Sequence, residues 1–135
     1  MFAGGIGSVH RSDDRGLTWT ASGIGETGSE VLSLVVGPDD VFAGLYPAGV
    51  FRSHDGGSTW NACNEGLGGY PAVGALTRSG TCLFVSVPAG LYRSCNDGTT
   101  WTRKGSIEAF AFVTSGERLF AGAEMGVWQY AEPIP

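Results

Sequence analysis

The eight residues 12–19, Ser-Asp-Asp-Arg-Gly-Leu-Thr-Trp, return as 53–60, Ser-His-Asp-Gly-Gly-Ser-Thr-Trp, and again as 94–101, Ser-Cys-Asn-Asp-Gly-Thr-Thr-Trp. Each copy begins 41 residues after the one before. A constant step of this size constrains the fold more tightly than composition does. It calls for copies of one small unit, stacked so that neighbours share a core that neither could bury alone. The 135 residues hold a little over three such units, enough chain for one domain with a substantial core.

Aligning the pairs Val41-Phe42, Leu83-Phe84 and Leu119-Phe120, with Met1-Phe2 in the same register, exposes the unit. Each pair opens a short apolar strand, B. A second strand, C, follows at 8–12, 49–53, 90–94 and 126–130. The motif comes next, and its Thr-Trp end begins strand D. A nearly all-apolar strand, A, precedes the following copy, at 31–36, 73–77 and 109–113. Short β-branched and aromatic runs punctuated by Gly and Pro read as strands, and no window carries a helical period. The chain is therefore expected to be all-β, with four antiparallel strands per unit and the apolar A strand innermost. Such units are blades of a β-propeller. The order B-C-D, A-B-C-D, A-B-C-D, A-B-C predicts a single partial propeller domain of fourteen strands, in units of about 1–30, 31–72, 73–108 and 109–135.

The motif reads as turn chemistry. Asp14, Asp55 and Asn96 each carry a short side-chain oxygen that can accept from nearby backbone N–H groups and hold a tight turn. Gly16, Gly57 and Gly98 supply a backbone angle closed to other residues. Ser12, Ser53 and Ser94 can bond across the hairpin. Thr18, Thr59 and Thr100 then lead back into the sheet with Trp19, Trp60 and Trp101, whose indoles cover the turn. Asn96 removes a charge and keeps an acceptor, a change that suits a structural role and would damage a catalytic carboxylate.

The pattern Ser-x-Asp-x-Gly-x-Thr-Trp is similar to the Asp-box, or bacterial neuraminidase repeat, with two full matches and one Asp-to-Asn variant. The stretches 41–60 and 83–101 resemble propeller blades of that superfamily. It includes sialidases, xyloglucan-active glycosidases, sortilin-type receptors and photosystem II assembly factors. The resemblance implies a propeller with its motifs at the C–D turns, away from the ligand face. It implies no single activity, because the superfamily mixes enzymes with non-enzymes.

Charged residues are sparse at 16 %, the formal net charge is −5, and the eight Lys and Arg are scattered. That balance argues against a nucleic-acid partner. No apolar run approaches the roughly 20 residues of a membrane span, and Met1 runs straight into a strand rather than a signal peptide. The compartment stays open. Cys63, Cys82 and Cys95 fall at three different phases of the repeat. Odd in number and unpatterned, they read as small strand or turn fillers, not as a disulfide framework.

A sialidase-like site would need arginines converging on a carboxylate. Arg11, Arg52 and Arg93 recur at the 41-residue step, so they belong to separate blades and read as stems packed along the sheet with solvated heads. A glycosidase pair would need two carboxylates about 5–10 Å apart. Glu65, Glu108 and Glu124 are possible sources, with nothing local to support them. His10 takes a strand position that reads as packed, and His54 reads as an exposed filler of the motif. There is no Ser/His/Asp arrangement, phosphate loop, metal-ligand spacing or cofactor motif. No catalytic residue, metal or cofactor is assigned.

Loop lengths add independent information. The A–B and C–D connections keep constant length, whereas motif Trp to next Phe runs 23, 24 and then 19 residues. In an antiparallel blade the constant turns gather at one end and the variable B–C and D–A turns at the other. Binding residues favour variable loops on a rigid scaffold. The candidates there are Tyr46, Glu65, Tyr70, Glu108, Glu124 and Met125. An open arc would also leave apolar terminal sides exposed. The expectation is a non-catalytic binding or assembly scaffold that closes its ring with a second copy and meets a protein or glycan ligand. The rival is a fragment of a larger propeller, such as a glycoside hydrolase with catalytic groups elsewhere. A third reading is a half-ring, evolved or engineered, whose interest is assembly itself.

Overall fold

The computed structural model describes residues 1–132, which form strands and turns and contain no helix. The first sheet holds β1 (Phe2–Gly4), β2 (Ser8–Arg11) and β3 (Thr20–Gly23). The second holds β4 (Glu30–Val36), β5 (Val41–Tyr46), β6 (Gly49–Ser53) and β7 (Asn61–Ala62). The third holds β8 (Ala75–Ser79), β9 (Cys82–Val87), β10 (Gly90–Ser94) and β11 (Thr102–Gly105). The fourth holds β12 (Ala109–Ser115), β13 (Arg118–Ala123) and β14 (Gly126–Gln129). All pairs are antiparallel and follow chain order, so the strand count and sequence of types are those the repeat predicts. The D strands start one residue past their Trp, and β8 begins at Ala75, leaving Val73 buried in the connection.

Side chains alternate across a strand, and each face meets a different neighbouring sheet. Phe42 and Val50 of the second sheet pack on Leu83, Val85, Val87, Tyr92 and Trp101 of the third. On the opposite face, Ala43, Leu45 and Phe51 pack on Val9 of the first and on Ile24, just past its last strand. Phe84 and Leu91 of the third sheet meet Leu119 of the fourth. Every inner sheet is thus the filling between two others. Gly44 shows how close the layers come: a Cβ there would lie 2.6 Å from Val73 Cγ1.

Two expectations change. The most apolar strand is not the most buried one. β5 and β9 are buried almost throughout, whereas β4 exposes Leu32 and Val36. A middle strand is paired on both edges and covered on both faces, while β4, β8 and β12 each close one edge of a sheet and adjoin one another along the inner side of the arc. The arginine heads also find protein partners, Arg11 while still exposed and Arg52 and Arg93 largely covered. Arg11 Nη1 donates to Gly56 O at 3.2 Å, and Arg52 Nη1 donates to Asp97 O at 3.0 Å. Gly56 and Asp97 hold the same motif position in the next sheet, so one latch recurs between successive sheets. Arg93 makes the corresponding reach, to the Tyr130 hydroxyl at 3.2 Å.

Candidate functional site

The motifs form one end of the arc. In the second, Gly57 N–H donates to Ser53 Oγ at 2.8 Å, Ser53 Oγ donates to Asp55 Oδ1 at 2.8 Å, and Thr59 N–H donates to the same oxygen at 2.8 Å. Thr59 Oγ1 donates to Asp55 Oδ2 at 2.6 Å. The first motif repeats these contacts around Ser12, Asp14, Gly16 and Thr18. In the third, Asn96 Oδ1 accepts from Ser94 and the Thr100 amide, and Gly98 N–H donates to Ser94. Its Nδ2 donates to Thr100 Oγ1 at 2.8 Å, so the last hydrogen bond survives with its direction reversed. Gly16, Gly57 and Gly98 have φ of 88°, 88° and 76°. The residue before each, Arg15, Gly56 or Asp97, is also left-handed, and the carbonyls of Gly56 and Asp97 are the ones the latch arginines reach. The Thr18 hydroxyl and amide with the Ser12 hydroxyl hold the Asp14 carboxyl down to about 2. Equivalent donors led by Thr59 hold Asp55 well below the usual range. Each carboxylate is consumed by its own turn.

The tryptophans differ. Trp19 and Trp60 donate to the glycine carbonyl of their own motif, at 3.1 and 3.2 Å. Trp101 donates at 2.7 Å to Cys63 O and is buried in the junction between the second and third sheets.

Beside the motifs the cysteine reading is overturned. Cys82 and Cys95 form a disulfide, with Cα atoms 4.1 Å apart. Leu83 pairs with Ser94 across β9 and β10, so the residues just outside that ladder stand opposite each other. That juxtaposition was readable from the strand alignment. In the second sheet the same two positions carry Asp40 and His54, with Nδ1 2.6 Å from Oδ1. Asp40 also pairs with Arg52 at 2.6 Å, and that guanidinium, which lies over the Phe42 ring, holds the Asp40 carboxyl below its ordinary value. His54 is exposed as expected, but partnered. Cys63 remains a free thiol, and burial pushes it up to about 12. In the fourth unit Tyr130 stands where the other three have the motif serine. Tyr130 packs edge-on against Phe84, and Glu132 gathers Lys104 and Arg93.

At the opposite end the six loop candidates separate. Tyr46 and Tyr70 meet edge-to-face with ring centroids 6.5 Å apart, and their hydrogen bond raises the Tyr70 phenol above its ordinary value. Glu108, Glu124 and Met125 line one open depression of about 210 Å³ with Ile107, Ala123 and Trp128. Glu65 joins neither group; its carbonyl accepts the Trp101 amide at 2.9 Å. Trp128 was not among the candidates, although its register and the short connection before it were legible. Among the described residues no group of three or more His, Cys, Asp or Glu could hold a metal ion, and no helix is long and apolar enough to cross a membrane.

No family model matches the chain, and no curated protein does. Solved structures do. The chain is similar to the computationally designed Ika8 protein, with a TM-score of 0.69 at 18 % identity over 96 % of this chain and 42 % of that one. It is similar to the computationally designed Ika4 protein, with a TM-score of 0.63 at 18 % identity over 96 % of this chain and 88 % of that one. An ancestral GH74 enzyme matches with a TM-score of 0.69 at 16 % identity, over 92 % of this chain and 20 % of that one. The GH74 enzyme of Niastella koreensis matches with a TM-score of 0.64 at 19 % identity, over 88 % of this chain and 22 % of that one. The four sheets are propeller blades. The chain spans less than half the length of Ika8 and less than a quarter of either GH74 enzyme. At these identities the likeness carries the fold alone.

Proposed function

We propose that this chain is a non-catalytic Asp-box propeller unit, a binding or assembly scaffold that completes its ring with a second copy of itself. The Asp-box reading draws on motif carboxylates occupied by Ser and Thr donors of their own turn. One observation carries the assembly reading. Val50, Leu91 and Val127 hold the same register on the face turned to the next blade, and they are 0 %, 6 % and 76 % exposed. The phenylalanine of that face follows suit, fully buried as Phe42 and Phe84 and only half-buried as Phe120. Val113 beside it is exposed. The face is built as a blade junction and lacks a blade. The first sheet offers a counterpart in exposed Met1, Ala3 and Trp19, at positions that Val41, Ala43 and Trp60 fill inside the arc.

Solution mass tests this directly. A species near twice 14.0 kDa is expected, and Val127→Asp should return it to monomer with its β spectrum intact. A monomeric parent at micromolar concentration would overturn self-association. The rival, part of a larger propeller glycoside hydrolase, draws on the two GH74 enzymes that share the fold. Hydrolysis of a chromogenic glycoside, abolished by Glu108→Gln or Glu124→Gln, would replace the scaffold reading with that one.

A further inference from the structure

Phe51, Tyr92 and Trp128 occupy one position in successive C strands, each turned toward the preceding blade. Phe51 and Tyr92 are 6 % and 5 % exposed; Trp128 is 48 % exposed. The difference lies in what covers them. Ile24, from the six-residue connection between β3 and β4, packs in the cluster that buries Phe51. Leu67, from the twelve-residue connection between β7 and β8, packs in the cluster that buries Tyr92. The connection between β11 and β12 has three residues, Ser106 to Glu108, and brings Ile107 and Glu108 to the depression that Trp128 lines. The shortened loop leaves an aromatic wall at the end of the arc opposite the motifs. Met125, 86 % exposed, flanks it. Glu108 and Glu124 line the same depression and hold no hydrogen bond or ion pair among the described residues.

An indole face, a thioether and two uncommitted carboxylates select by charge as well as shape. An anion is repelled, and a neutral ligand gains no attraction from the two exposed carboxylates. An alkylammonium group satisfies the carboxylates and the ring face together, since a cation is drawn to the negative face of an aromatic quadrupole. The net charge of −5 adds a field of the same sign. The geometry points to a binding site for a trimethylammonium-type cation, in the cavity formed by Trp128, Met125 and Ile107 with Glu108 and Glu124. The site deepens the scaffold reading by giving its loop face a ligand class. All its residues belong to one copy, so a failure of self-association leaves it standing.

Calorimetric titration of the full chain at low salt with choline, and with its neutral isostere 3,3-dimethylbutan-1-ol, tests the charge requirement. Choline is expected to bind at least about tenfold more tightly than the isostere. The exposed substitutions Glu108→Gln and Glu124→Gln together, and Trp128→Leu separately, should each weaken choline by a similar factor while circular dichroism stays unchanged. Equal affinity for the two probes, no heat with choline, or choline binding indifferent to Trp128→Leu would overturn the site. So would a gluco-oligosaccharide that binds through Trp128 where choline does not. Phosphatidylcholine vesicles form a second arm. Cosedimentation that choline displaces assigns the cation to a lipid headgroup, and its absence beside choline binding assigns it to a free solute.

Discussion

The third blade is stapled where the second holds only a side-chain contact between Asp40 and His54, and cutting the staple should weaken the whole chain. Cys82 and Cys95 are 13 residues apart in sequence. Closing a loop of that length in the unfolded chain removes entropy worth about 3 kcal/mol at 25 °C. Little is regained in the folded state when the bond is cut, because Leu83 and Ser94 already hold the two positions together through the β9–β10 ladder. Reduction also leaves a thiol at Cys82, which is fully buried. Urea unfolding with and without a phosphine reductant, followed by tryptophan fluorescence, should show a loss of about 2–3 kcal/mol on reduction. The double variant Cys82→Ala/Cys95→Ala, insensitive to reductant, should fall by a similar amount, which separates the bond from side effects of the reagent. Cys63→Ala should leave the reductant effect intact, since its thiol is outside the pair. Coincident unfolding curves for oxidised and reduced parent would refute the reasoning.

The motif carboxylates and the latch make two further predictions. Asp14 and Asp55 are held below their ordinary value near 3.8, so the stability they supply is present above that pH and lost as pH falls, through about 2 for Asp14 and lower for Asp55. Asp55→Asn should match the parent near pH 7, as the Asn96 geometry implies, and should lose less between roughly pH 4 and pH 2; a loss at pH 7 equal to that of Asp55→Ala would contradict it. Arg52→Met should cost about 2–3 kcal/mol in urea, because it strips a nearly buried Asp40 of its closest cation and frees Asp97 O. Arg11→Met, at an exposed pair with Asp13, should cost under about 1 kcal/mol, and comparable losses at the two sites would show that burial does not set the strength of the latch.

Strand positions were legible because the repeat supplies three aligned readings of each. Val41, Leu83 and Leu119 fall at the head of a B strand one after another, and an error at one copy is corrected by the others. The same averaging hid what is particular to one copy. A disulfide at Cys82 and Cys95 is invisible to a search for cysteine spacing, yet it takes positions that Asp40 and His54 hold one unit earlier. Two successive units thus link the same pair of positions by different chemistry. Arg11, Arg52 and Arg93 were correctly assigned to separate blades, but periodicity alone does not say what a side chain 41 residues from its copy will touch. The partner carbonyl lies 45 residues on, in the next motif, and is presented by a left-handed residue that hydropathy does not mark.

The two ends of the arc therefore differ in how much freedom the fold leaves them. At the motif end, each turn's carboxylate or amide, hydroxyl and glycine amide are spent on one another, and the latch arginines bind that end to the next blade. A new ligand that engaged those groups would have to displace bonds that hold blades together. At the other end the connections run six, twelve and three residues over the same strand geometry. Twelve residues bring Tyr70 to Tyr46, and three residues uncover Trp128. Both changes alter what a ligand would meet while the strands beneath keep their register. If binding had evolved at the motif end, the lengths there should vary between copies and the hydrogen bonds around Ser53 and Ser94 should not superimpose. The same bonds recur around both serines, so the loop end is where this chain has room to acquire a function.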